Sequence, residues 1–174
     1  MRVLHLACMP FPSPQGTQAA VHAMLGALAA AREASELLVY GSGAEGARCA
    51  YPVHRLPSLP FGRSLRSGPS VGKVALDAAM VARAAALYDR IGAGLVIAHN
   101  VEAALVAAAA RRPFAYFAHT AMDVELPFYA RPSLGRAAAV LGSTLDSIAC
   151  QQARAVASIS PSLADHLRRR RGVD

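Results

Sequence analysis

An α/β fold, with an open, mostly parallel sheet and helices on both faces, is predicted by three observations. Short apolar runs alternate along the chain with longer segments of helical period. Each run is bounded by turn residues, as buried parallel strands are. The 174 residues, 54% hydrophobic and 17% charged, form a single domain large enough to bury its own core, and the composition excludes disordered and collagen-like chains.

The elements follow in chain order. Residues 3–7 form the first strand, and Val21, Leu25 and Leu28 then share one face of a helix. Strands are expected over 37–40 and 53–56. The stretch from Pro57 to Pro69, with Arg63 and Arg66, is the one long irregular connection. A helix follows whose buried face is read as Val74, Ala78, Val81, Ala85 and Tyr88. Residues 95–98 are a strand, and an Ala-rich helix runs from about Val101 to Ala110 with Asn100 as its N-cap. The run at 114–117 is a central strand. Leu134, Ala138, Leu141, Leu145 and Ile148 line the next helix. After a strand at 156–159, Ser160 and Pro161 supply the cap and first-turn proline of the last helix.

The formal net charge is +7, and arginine accounts for nearly all of it, Lys73 being the sole lysine. No nucleic-acid module or aromatic interleaving accompanies the arginines, so no nucleic-acid partner is expected. Weak contact with an anionic membrane surface fits better, through Arg55, Arg63, Arg66 and Lys73. Cys8, Cys49 and Cys150 have neither framework nor zinc spacing. Residues 3–31 carry no Asp, Glu, Lys or Arg, yet Pro10, Pro12 and Pro14 interrupt them, so neither a signal h-region nor a membrane span fits. The chain reads as cytoplasmic, with room for a peripheral place at the membrane's inner face.

In an open parallel sheet, ligands bind outside the carboxyl ends of the strands. Gly16 and Thr17 follow the first strand and start a helix, where free N–H groups favour a phosphate. His99 and Asn100 follow the fourth strand. His119, and then Asp123 and Glu125 in an irregular loop, follow the fifth. His99 and His119 end strands expected to be adjacent. Without a second histidine beside Asp123 and Glu125, the set is not a metal site. His5, His22, His54 and His166 are assigned structural roles. Neither GxxxxGK[ST], GxGxxG nor a nucleophile elbow is present.

These pieces resemble, in order and over nearly the whole chain, the N-terminal domain of a GT-B glycosyltransferase of the retaining group called family four. The residues that carry the likeness are Val3-Leu-His-Leu-Ala-Cys-Met-Pro-Phe-Pro-Ser-Pro-Gln-Gly-Thr-Gln18, Leu95-Val-Ile-Ala-His-Asn100, Phe114-Ala-Tyr-Phe-Ala-His-Thr120 and Ala157-Ser-Ile-Ser-Pro-Ser-Leu-Ala-Asp-His-Leu167. The resemblance implies a Rossmann-like domain over residues 1–174, holding the acceptor and facing a C-terminal donor-binding domain that this chain lacks. It implies a nucleotide-sugar donor, a sugar or lipid-linked acceptor, and no metal or other cofactor. Gly16 and Thr17 would meet the donor phosphates. His119 would be the catalytic contact to the transferred sugar, and Asn100, His99, Asp123 and Glu125 would meet acceptor hydroxyls. The isolated chain is expected to be inactive. His119 is expected at the rim, so that its loss costs no more than about 1 kcal/mol of stability.

Two other readings stay open. One is a non-catalytic binding or scaffold protein that kept the fold. The other, a stand-alone nucleotide binder, is opposed by Gly41-Ser-Gly43, where an acidic ribose contact would be needed after the second strand.

Overall fold

The computed structural model describes residues 1–43, 48–57 and 71–171. Six strands form one sheet: β1 (Arg2–Ala7), β2 (Ser35–Val39), β3 (Val53–Arg55), β4 (Ala93–His99), β5 (Phe114–Ala118) and β6 (Ala155–Ser158). Their order is β3-β2-β1-β4-β5-β6, and every pairing is parallel. The helices are α1 (Gly16–Ala30), α2 (Val71–Ile91), α3 (Asn100–Ala109), α4 (Met122–Tyr129), α5 (Gly135–Gln152) and α6 (Pro161–Arg171), with a 3-10 turn at Pro132–Leu134. The Rossmann-like α/β architecture is thus the one expected, and strand ends shift by one or two residues.

Alternation of side chains along each strand creates two cores. Leu4 and Leu6 of β1, Val96 and Ala98 of β4, and Tyr116 and Ala118 of β5 pack against α2 and α3. Ala7, Leu37 and Val39 point the other way, against Val21 and Leu25 of α1. Each fully buried leucine stabilises the fold by roughly 1.5–3 kcal/mol. Cover on the α1 side is incomplete. Leu95, Ile97, Ala115 and Phe117 are half-buried there, and Ala155 and Ala157 are exposed.

Two helix faces differ from those read in the sequence. In α2 the buried row is Leu76, Met80, Ala84 and Leu87, while Val74 is exposed. Both rows have helical spacing, and in a helix this rich in alanine the larger side chains decide which one turns inward. In α5 the buried positions are Gly142, Asp146, Ala149 and Cys150, whereas Leu134 and Leu141 are exposed. Ala138 and Leu145 of the expected stripe pack half-buried against the core, while a buried aspartate and a glycine take the inward positions because α5 packs on α4. A Cβ on Gly142 would lie 2.2 Å from the Met122 carbonyl oxygen. Asp146 Oδ2 accepts the Met122 backbone N–H at 2.8 Å.

Asp123 and Glu125, expected in an irregular loop, lie in the first turn of α4. Their negative charges suit the positive end of that helix. Asn100 is not the N-cap of α3. His99 holds that position, without a side-chain cap bond, and Asn100 itself has φ +69°. The Ser160 cap stands as expected, its Oγ accepting the Leu163 N–H at 3.3 Å. The connection from Pro57 to Pro69 lies, apart from Pro57 itself, outside the described residues. No helix among those described is long and apolar enough to cross a membrane.

Candidate functional site

The chain leaves β1 toward β2 and β3, then returns to place β4 on the other side of β1. Such a reversal opens a crevice at the carboxyl ends of the two central strands. Register keeps those ends level, because Ala7 pairs with His99 and His99 with Phe117.

A cavity of about 280 Å³ occupies this crevice, near the lower limit of ligand pockets at roughly 300 Å³. The β1–α1 loop gives it Cys8, Met9, Pro10, Ser13 and Gln15, and α1 gives Thr17 and Gln18. Tyr40 enters from the end of β2 and Lys73 from α2. Asn100 and Glu102 come from α3, and Thr120, Met122, Glu125 and Tyr129 close the far side. The lining is mostly polar, as a site for a hydroxyl-rich molecule must be.

Its charged groups are held in place. Lys73 Nζ donates to Glu102 Oε1 at 2.5 Å. Burial works against the lysine's charge, but Glu102, with Asp77 behind it, raises its pKa above the ordinary value. Tyr40 donates its hydroxyl to Asp77. Burial pushes Asp77 above the usual carboxylate range, and it pushes the Cys8 thiol well up, so this cysteine is no thiolate nucleophile. Glu125 accepts from Thr120 Oγ1 at 2.5 Å and from Tyr129 at 3.2 Å. Asn100 presents a buried Oδ1 that has no partner among the described residues. Its left-handed backbone is the kind of strain that gathers at binding sites.

The N-terminus of α1 adjoins this cavity. Gln15 is its N-cap and makes no side-chain cap bond, and no acidic residue lies in its first turn. Among the described residues, nothing stands within 4 Å of where a Gly16 Cβ would be. Free N–H groups and the helix dipole therefore face open space.

The expected site residues divide into two groups. Thr17, Asn100 and Glu125 line the cavity, with Gly16 between two residues that do. His99, His119 and Asp123 do not line it. Asp123 pairs with His166 at 3.0 Å. His99 and His119 belong to the sheet face on the α1 side. There His5 Nδ1 lies 3.0 Å from His99 Nε2, and His99 Nδ1 lies 3.1 Å from His119 Nε2. His119 is only 5% exposed, which corrects the expectation of a rim side chain. Burial lowers the pKa of His5 and of His119 to about 4. Burial, with both neighbours, takes His99 well below its ordinary value. All three rings are therefore neutral at pH 7.

Sequence reasoning passed over Cys8, Tyr40, Glu102 and Tyr129 as site residues, and it put Lys73 on a surface face. Cys8 and Glu102 carried a signal, as residues shortly after strand ends. Of the basic face read in the sequence, Lys73 is instead paired with Glu102 inside the cavity, whereas Arg55 is exposed and donates to the Phe11 carbonyl. Arg63 and Arg66 lie outside the described residues.

A Rossmann-like sheet with a polar cavity at its switch point and an anion-favouring helix start beside it is the arrangement expected of the N-terminal domain of a GT-B glycosyltransferase. The family model for Glycosyltransferase Family 4 matches residues 14–174, and the chain belongs to that family. No curated protein sequence matches it. Among solved structures, the sucrose-phosphate synthase (tll1590) of Thermosynechococcus elongatus superposes with a TM-score of 0.73 at 16% identity, covering 97% of this chain and 45% of that one. A shortened form of the same synthase gives 0.64 at 13% identity, over 97% and 82%. These likenesses concern the fold. The chain spans less than half the length of the first synthase structure.

Proposed function

We propose that this domain holds the acceptor in a retaining transfer of a sugar from a nucleotide-sugar donor to an acceptor hydroxyl. The observation that carries the reading is the cavity at the switch point, flanked by the bare N-terminus of α1. Asn100, Glu102 and Glu125 offer acceptor oxygens to hydroxyl groups, and the open space over Gly16 admits a diphosphate approaching from a facing domain. His119, which stands outside this cavity on the α1 side of the sheet, would meet the transferred sugar there through a neutral ring whose Nδ1 has no partner among the described residues.

In the transfer the acceptor oxygen bonds to the anomeric carbon as the bond from that carbon to the diphosphate oxygen breaks. The electron pair leaves with the nucleoside diphosphate, and the acceptor's proton passes to a departing phosphate oxygen. Attack on the face the leaving group vacates retains configuration. No side chain of this domain has to act as base, and its contribution is positioning and electrostatics.

The test is a product assay by mass spectrometry with a panel of nucleotide sugars and acceptors. The chain is assayed alone and joined to the donor-binding domain of a family member. Product only from the joined protein is expected. Turnover by the isolated chain would overturn the division of labour, and no product from either would favour the non-catalytic binding reading. Nucleoside diphosphate should bind the isolated chain with Kd on the order of millimolar, because a few backbone N–H bonds must offset the cost of association.

A further inference from the structure

We infer that the cavity selects acceptors without an anionic group, so that its substrate is a neutral or amine-bearing polyhydroxyl compound and not a sugar phosphate. The inference rests on the acceptor reading above and narrows it to a substrate class.

The argument is one of charge placement. Among the described residues, the cavity's lining contains two carboxylates, Glu102 and Glu125, and one cation, Lys73. The lysine is already committed to Glu102 at 2.5 Å, and Asp77 adds to the charge that holds it. Among the described residues the cavity's formal charge is therefore negative, and its lining holds no second cation to receive a phosphate. Glu125 accepts from Thr120 and Tyr129, and ionised it has only lone pairs left to present. Those lone pairs suit an O–H or N–H donor and repel a phosphate oxygen.

The helix termini sharpen this sorting. The first turns of α3 and α4 carry Glu102 and Asp123 with Glu125, which offset the positive ends of those dipoles. The first turn of α1 carries no acid. An anion is thus favoured at Gly16, on the donor side, and disfavoured between α3 and α4. Two unit charges about 5 Å apart at an effective dielectric of about 20 interact strongly enough for tenfold discrimination after screening.

Saturation-transfer NMR on the 174-residue chain tests this with glucose, glucosamine and glucose 6-phosphate at about pH 7.5 and low salt. Glucose and glucosamine are expected to bind at least tenfold more tightly than the phosphate. Glu125→Gln should shrink that ratio, and so should added salt. Lys73→Met, which leaves both carboxylates uncompensated, should widen it. Circular dichroism confirms that each variant is folded. Equal or tighter binding of glucose 6-phosphate by the parent chain overturns the charge inference alone. Absence of binding by all three probes removes the acceptor reading, and the inference with it.

Discussion

Nδ1 of His99 lies 3.1 Å from Nε2 of His119, and this bond follows from strand register. His99 is level with Phe117, so His119 stands two residues further on and its side chain emerges on the same face. His5 is level with Ile97, two residues before His99. The three rings thus step diagonally across β1, β4 and β5 toward the carboxyl edge. Each neutral ring carries one N–H, so the bonds must run in a common direction. When His119 Nδ1 bears a proton, His5 Nε2 is a bare lone pair, and the reverse tautomer exchanges the two ends.

This chain of histidines sets a pH dependence. Their folded pKa values lie below the ordinary 6.5, at about 4 for His5 and His119, so the unfolded state binds more protons between those limits. Stability is then fully present above about pH 6.5 and falls as pH drops toward 4, a tenfold loss of proton affinity on folding corresponding to about 1.4 kcal/mol. Thermal melts from about pH 7.5 to 4 should show the loss, and His5→Phe should make it shallower across the window. A Tm independent of pH over that window would contradict it.

Replacing His119 with alanine removes the hydrogen-bond partner of a buried nitrogen. The cost should be roughly 1–3 kcal/mol, larger than a rim position would give, and urea unfolding measures it. Under the proposed function, the same change in the protein joined to a donor domain lowers turnover by roughly a hundredfold. His119→Gln, which can still bond to His99, should recover stability more than turnover. Recovery of both together would mark the residue as structural.

Asn100 separates backbone strain from ligand contact. An L-residue in the left-handed region costs roughly 1–2 kcal/mol, with asparagine among the better tolerated. Asn100→Ala should therefore destabilise by about 1 kcal/mol, whereas Asn100→Gly should leave stability level or higher. Both should weaken sugar binding, because both remove Oδ1. Unchanged glucose affinity in the glycine variant would show that the amide does not touch ligand.

The seat of α4 is open to the same kind of test. Gly142→Ala drives a methyl group into the Met122 carbonyl and should cost roughly 1–3 kcal/mol. Asp146→Ala leaves the Met122 N–H without its acceptor, at roughly 1.5–3 kcal/mol. Since α4 carries Glu125 and Tyr129, each variant should also lose sugar affinity while still folded. Sugar binding unaltered by a displaced α4 would remove Glu125 from the site.

The alternation of apolar runs and helical segments was sufficient for the strands, the parallel sheet and the edge that carries the candidate site, because burial on both faces dictates composition locally. Val21 and Leu25 declared their inward face for the same reason. Gly16, Thr17, Asn100 and Glu125 were legible as residues that follow strands. Tertiary structure alone decided the rest. Pro127, sixth in an eight-residue helix, hid α4 from any periodicity, and Asp146 turned inward only because a partner helix offers it a backbone N–H. Lys73 lies 29 positions from Glu102, and His5 lies 94 from His99. Such pairings depend on strand order and register, which are set by how the whole sheet assembles and leave no mark on the sequence near either residue.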